Sequence, residues 1–263
     1  MEFKILAVGD VVGNPGVDRI CRSLRYLKRK TQADFVVVNG ENAAVVGMTP
    51  QQGQDILDAG ADVITMGNHT FGKRELVPFL EDCHRILRPA NLAPQTPGRG
   101  WAVFDTKAGP LAVIDLIGRC NMDYGPENPF LLVDKILKEV KTNLVLVEIH
   151  AEATSEKLAM GYYLDGRVSA LWGTHTHVPT ADARVLPKGT GYVTDLGMTG
   201  PAESVLGIKP ELSIAKFRGD LTGRYQWAEG PTKMEAVLFT VDTATGHCRK
   251  AERVDIYEDP AQR

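Results

Sequence analysis

Short, largely apolar runs that each stop at a polar cluster constrain this 263-residue chain more than any other feature. Phe3-Lys4-Ile5-Leu6-Ala7-Val8 stops at Gly9-Asp10. Phe35-Val36-Val37-Val38 stops at Asn39-Gly40-Glu41-Asn42, and Val63-Ile64-Thr65-Met66 at Gly67-Asn68-His69. Apolar runs this short and this uninterrupted read as strands buried on both faces. The segments between them have helical period. Val17–Lys30 carries Ile20, Leu24 and Leu27 on one face and Arg19, Arg22, Arg25 and Arg29 on the other, which reads as a solvated face. Gln51–Ala59 is a short helix closed by Gly60, and Glu75–Asp82 is another. Strand–helix alternation of this kind implies a parallel sheet with helices packed on its faces.

The middle of the chain changes character. Trp101–Asp105 and Leu111–Asp115 flank Lys107-Ala108-Gly109-Pro110 and predict a hairpin. Phe130–Val140 is helical, Leu144–Val147 is a buried strand running into Glu148-Ile149-His150, and Ser155–Tyr163 is helical. Val168–Trp172 is a further buried strand. It opens into Gly173-Thr174-His175-Thr176-His177-Val178-Pro179-Thr180, and Tyr192–Asp195 follows. Around 200–231 glycine and proline break the pattern, and a long surface insertion is expected. Ala236–Val241 and Arg249–Tyr257 form an antiparallel end. No linker divides the chain, so residues 1–263 are expected to form one domain.

Composition excludes several function classes. A net charge of −3 gives no basic footprint, so stable nucleic-acid binding is not expected. No apolar run is long enough to span a membrane. The start, MEFKILAVGD, enters a strand pattern without the parts of a secretory signal, so a cytoplasmic location is expected. Cys21, Cys83, Cys120 and Cys248 form no CxxC pair and are expected to be free thiols.

The polar residues at the strand ends carry the functional argument. Ligands of open α/β sheets bind outside the carboxyl ends of the strands. Asp10, Glu41, Asn42, Asn68, His69, His150, His175 and His177 all sit at such ends, and four of the six histidines are among them. Each has a plainer reading as a turn, cap or packed residue, but the same coincidence at five strand ends does not. Imidazole nitrogen with carboxylate and amide oxygen, and no thiolate, suits Fe, Mn, Zn or Co rather than Mg or Ca. The ligands outnumber the needs of one open ion. Two ions sharing a bridging carboxylate account for them, and such a pair clamps a phosphoryl group around a bridging hydroxide.

These motifs, in order, resemble the five motifs of the calcineurin-like metallophosphoesterases from residue 3 to about residue 180. GDVVGNPG, VNGENAA, TMGNHTF, EIHAEATSEK, WGTHTHVPTAD and TDLGMTGP look more narrowly like the YmdB-type bacterial phosphodiesterases over almost the whole chain. The resemblance implies a four-layer α/β/β/α sandwich and a centre of two transition-metal ions, Fe or Mn foremost and Zn as an alternative. It also implies attack of a metal-bridging hydroxide on a small phosphodiester, including 2′,3′- and 3′,5′-cyclic nucleotides. Three positions depart from the broad family. Val12 replaces a motif-one histidine, Glu41 replaces the bridging aspartate, and Thr70 replaces the acid after GNH.

The implied roles give one metal to Asp10, Glu41, Asn42 and His177, and the other to Glu41, Asn68, His150 and His175. His69 serves as general acid for the leaving alkoxide or stabilises the transition state. Thr199 and Gly200, in a Gly-rich loop, are candidate substrate contacts. Arg119 is within reach of a phosphate, although a plain exposed loop arginine is the simpler reading. The rival readings are a phosphomonoesterase or nucleotidase, and a metal-binding regulatory protein with vestigial hydrolysis. A homo-oligomer, dimer or tetramer, is also expected.

Overall fold

The computed structural model describes residues 1–221 and 223–257. The first half contains strands β1 (Glu2–Val8), β2 (Asp10–Val11), β3 (Phe35–Asn39), β4 (Val63–Thr65), β5 (Ile86–Leu87), β6 (Trp101–Thr106) and β7 (Gly109–Ile117). Its helices are α1 (Gly13–Thr31), α2 (Pro50–Asp58) and α3 (Leu76–Asp82). The second half contains α4 (Pro129–Glu139), β8 (Leu144–His150), α5 (Thr154–Leu164), β9 (Ala170–Thr174), β10 (Arg184–Val185), β11 (Gly191–Val193) and β12 (Met198–Pro201). α6 (Pro210–Arg218), β13 (Thr232–Met234), β14 (Ala236–Asp242), β15 (Cys248–Arg253) and β16 (Ile256–Tyr257) follow.

Two six-stranded sheets face each other, in the orders β15-β14-β1-β3-β4-β5 and β10-β11-β9-β8-β7-β6. The period-two geometry of a strand explains the layering. In β3, Phe35 and Val37 enter the core between the sheets, beside Phe3, Ile5, Leu146 and Trp172. Val36 and Val38 face the other way, onto Ile20, Leu24 and Leu27 of α1 and Ile56 of α2. The second sheet repeats this arrangement, with Val145 and Val147 packed on Val133 of α4 and Met160 and Leu164 of α5. The result is the expected α/β/β/α sandwich. Trp172 and Phe239 stack across its middle with ring centroids 5.8 Å apart.

Several expectations need correction. α1 begins at Gly13, four residues ahead of the expected Val17. Pro15 falls in its first turn, where a helix needs no backbone N–H, so GNP is compatible with helix there. The arginine face of α1 is not wholly solvated, because Arg19 is buried. The alternating tail is two strands in two sheets, β15 and β16, rather than one. A third sheet, β16-β13-β12-β2, has no counterpart in the periodicity, since its strands are two to four residues long. It clamps the base of the 200–231 segment, because β12 and β13 pair with each other and β12 pairs with β2. Thr199 and Gly200 therefore lie buried in a strand, not in an open loop. The segment also contains α6.

Candidate metal centre

The parallel strands of both sheets deliver their carboxyl ends to one edge. β1 leads directly into Asp10, β3 into Glu41 and Asn42, and β4 into Asn68 and His69. β8 ends on His150, and β9 opens into His175 and His177. Each of these eight side chains lies within hydrogen-bond or ion-pair distance of another member.

Glu41 is central. Its Oε1 lies 3.2 Å from His150 Nε2, 3.4 Å from His69 Nδ1 and 2.9 Å from Asn42 Nδ2, and its Oε2 accepts the His69 backbone N–H at 3.0 Å. Burial pushes the Glu41 carboxyl up, but His150 and His69 beside it outweigh this and hold it well below the usual carboxylate range. Burial likewise pushes the His150 imidazole down, while Glu41, Asp10 and Glu148 reverse the shift and raise it. The glycine of Gly67-Asn68-His69 is a steric requirement. A Cβ there would lie 2.3 Å from Glu41 Oε2 and 2.5 Å from His150 Nε2.

The tautomers of the two central histidines follow from carboxylates that the motifs do not include. Glu148 is fully buried and accepts from Asn39 Nδ2 (2.6 Å), Thr65 Oγ1 (2.6 Å), Trp172 Nε1 (2.9 Å) and Thr174 Oγ1 (2.9 Å). Burial pushes its carboxyl group up while the bonds from Thr65, Asn39 and Trp172 pull against that. With its only proton given to Glu148, the Thr174 hydroxyl accepts from His150 Nδ1 at 2.9 Å. His150 Nε2 is then the lone-pair nitrogen. On the other side, His175 Nε2 faces Glu152 Oε2 at 3.1 Å, which leaves Nδ1 as its lone-pair nitrogen. Burial pushes the His175 imidazole down to about 3, so it is neutral at pH 7.

These two lone pairs, His150 Nε2 and His175 Nδ1, meet at 3.0 Å, with Asn68 Oδ1 2.9 Å from the former. Glu41, His150 and His175 offer ligand atoms within 4.8 Å of one another. Acceptors so crowded repel unless a cation or a proton sits among them. Asp10 adds to the demand. It is fully buried, its Oδ1 has no hydrogen-bond partner among the described residues, and burial pushes its carboxyl well up. His150 Nδ1 is 3.9 Å and His177 Nε2 3.8 Å from that same oxygen. The donor set fits transition-metal ions.

The His-Thr-His turn is held under strain. His175 and His177 take φ of 97° and 61°, the left-handed region that favours glycine. Between them Thr176 points away, its hydroxyl and N–H both on Asp195 Oδ2 at 2.8 and 3.2 Å. Fully buried Lys157 of α5 bonds that carboxylate and the Thr174 carbonyl, each at 2.7 Å. His177 donates through Nδ1 to the Leu206 carbonyl at 3.4 Å, so its Nε2 faces the centre.

The departures from the broad family have local explanations. Val12 is buried under the 200–207 turn, where a Cβ on Gly207 would lie 2.4 Å from its Cγ1. An apolar contact therefore fills that position. Thr70 donates to the Gly67 carbonyl at 2.6 Å, and Asn42 Oδ1 takes over at His69 Nδ1, 3.0 Å away. A ligand role for Asn42 requires its oxygen to release His69. The sequence reading missed Glu148, Glu152, Thr174, Asp195 and Lys157. The available signal was Glu148 itself, a lone acid in the strand LVLVEIH and two residues before His150, hence on the same face.

The chain is similar to several known proteins over nearly its whole length. The profile of the family described as YmdB-like protein matches residues 6–254. A Bacillus subtilis (strain 168) protein named 2′,3′-cyclic-nucleotide 2′-phosphodiesterase is 45% identical over 260 residues, covering 98% of each chain. A crystal structure described as a novel phosphatase from Mycoplasma pneumoniae superposes with TM-score 0.92 at 35% identity, covering 100% of this chain and 96% of that one. A hypothetical protein from Thermus thermophilus gives TM-score 0.91 at 37% identity, covering 98% of this chain and 100% of that one.

Proposed function

The chain belongs to the YmdB-like protein family, and from that premise we propose that it is a metal-dependent phosphodiesterase that opens cyclic nucleotides, 2′,3′-cyclic ones foremost. The observation that carries this reading is the unpartnered, buried Oδ1 of Asp10 beside the crowded lone pairs of Glu41, His150 and His175. The name of the Bacillus subtilis relative supports the substrate class.

Asp10, Glu41, Asn42 and His177 would hold one ion, and Glu41, Asn68, His150 and His175 the other, with Fe or Mn favoured by the mixed nitrogen and oxygen set. When bound, such ions neutralise charge on phosphoryl oxygens and acidify water. The chain's own residues do the rest. Glu148, through Thr174, and Glu152 fix which nitrogens of His150 and His175 face the centre. With the Asn42 oxygen turned to the ion, Glu41 Oε1, 3.4 Å from His69 Nδ1, is left to orient that ring, and the other ring nitrogen carries the proton for the departing alkoxide. Residues 1–263 act as one domain in this reading, in the cytoplasm. Among the described residues no helix is long and apolar enough to cross a membrane. Exposed Ile214, Phe217 and Leu221 on and beyond α6 favour a homo-oligomer, dimer or tetramer.

The test is metal analysis of protein purified without a chelating tag, with turnover of bis-p-nitrophenyl phosphate and 2′,3′-cyclic AMP measured on the same preparation. About two equivalents of metal, as two-ion sites require, with turnover lost in Asn68→Ala, is the expected result. Bound metal without turnover of either diester would overturn it.

A further inference from the structure

A cavity of about 430 Å³ lies past the carboxyl end of β7, bounded by Arg119, Pro126, Asn128, Pro129, Phe130 and Glu156. Its place is fixed by the backbone of a metal-site residue. β7 and β8 are parallel with Ile117 opposite His150, and the next residue, Gly118, donates its N–H to the His150 carbonyl at 3.0 Å. Gly118 is required at that contact, since a Cβ would lie 2.5 Å from Glu156 Oε2 and 2.6 Å from the Ala151 Cβ. Glu156, in the first turn of α5, then pins the outgoing loop. Its Oε1 accepts the Arg119 N–H at 2.9 Å and its Oε2 the Cys120 N–H at 3.2 Å. Arg119 therefore starts one residue from the strand edge that carries His150, on backbone tied at both carboxylate oxygens.

What remains uncommitted in the cavity has a defined chemistry. The Arg119 side chain has no ion-pair or hydrogen-bond partner among the described residues. Asn128 uses its oxygen to cap α4 at Phe130 N–H, 3.0 Å away, and its amide N–H₂ has no acceptor among the described residues. Phe130 is held edge-on by Tyr163, with ring centroids 5.3 Å apart, and buried Pro126 and Pro129 line the same cavity. A guanidinium, a free amide donor and a braced aromatic ring match the oxygens of a ribose and the face of a base. The volume lies in the range of small-molecule sites.

Resting on the diesterase reading above, we propose that this cavity is the nucleoside subsite of the centre, with Arg119 as its specificity-determining residue. The single phosphate, which is the scissile one, lies at the strand edge, Arg119 meets the 5′-hydroxyl and ring oxygens of the ribose, and the base lies against Phe130. A diester without a ribose makes the phosphate contact but not the one to Arg119.

The experiment compares wild type, Arg119→Ala, Arg119→Lys and Phe130→Leu on 2′,3′-cyclic AMP and on bis-p-nitrophenyl phosphate, with thermal unfolding midpoints as the folding control. Arg119→Ala is expected to raise KM for the cyclic nucleotide about tenfold more than for the nitrophenyl diester. Arg119→Lys should fall between, because it keeps the charge and loses the fork. Calorimetric titration with 3′-AMP reads the subsite without turnover, and its Kd should rise about tenfold in Arg119→Ala. Equal changes on both substrates, or 3′-AMP affinity untouched by Arg119→Ala, would overturn the subsite. Loss of turnover on both diesters in wild type defeats the diesterase reading instead, and the 3′-AMP titration then still decides for or against the subsite.

Discussion

At the residue scale, the centre depends on groups that never reach its ligand face. Glu148 collects four donors in a fully buried position and, through Thr174, sets the proton on His150. Glu148→Gln keeps the shape but replaces one acceptor oxygen by a donor, which then faces the N–H of Asn39 or of Trp172. Bonds to a buried charge are each worth about 1.5–3 kcal/mol, so urea unfolding of the variant should show a loss of at least that size. Metal titration should show affinity lower by about 10- to 100-fold, the usual consequence of losing an outer partner of a metal-site histidine. Gly67→Ala tests sterics at the same point. Its Cβ has no space beside Glu41 Oε2 and His150 Nε2, so purified protein should retain its secondary structure by circular dichroism and lose bound metal. Full metal content in Gly67→Ala would refute the placement of Glu41 and His150 around this glycine.

At the element scale, α5 does more than cover the second sheet. It contributes Lys157 to the His-Thr-His turn and Glu156 to the loop after β7. Lys157→Met removes one partner of a fully buried ion pair and leaves Asp195 charged in the interior. Such a loss costs about 3–5 kcal/mol, and it should appear as a lower denaturant midpoint together with weaker metal binding, because Asp195 no longer fixes Thr176. A change away from the centre separates fold from site. Thr49 caps α2 in a reciprocal box with Gln52. Thr49→Ala should cost about 1 kcal/mol with metal content unchanged. Helices α2, α4 and α5 and the longer strands were legible in the sequence within a few residues, because each carries enough periods to declare itself. β2, β12, β13 and β16 were not, because two to four residues cannot show a period and their pairing partners lie far away in the chain.

At the scale of the whole molecule, the site exists only where the carboxyl ends of two sheets meet. Asp10, Glu41 and Asn68 follow β1, β3 and β4 of one six-stranded sheet, and His150 and His175 lie at the ends of β8 and β9 of the other, so bound metal ties the halves of the sandwich together. Chelation should lower the thermal unfolding midpoint, and metal at about 100 times its Kd should restore about 2.7 kcal/mol. Asp10→Ala should lack most of that rise. Calorimetry with and without metal checks both; an equal rise in the variant would remove Asp10 from the ligand set. The sequence alone determined the layered α/β architecture and the residue types at five strand ends, because burial period and strand-end chemistry are local properties of a few adjacent residues. The tertiary structure alone decided the third sheet, the burial of Thr199 and Gly200, the partner of His69 and the tautomers of His150 and His175. Those rest on contacts such as Asn39 to Glu148 and His175 to Asp10, which join residues 109 and 165 positions apart. No local pattern encodes which distant donor a buried carboxylate receives; only the packing of the two sheets brings them within reach.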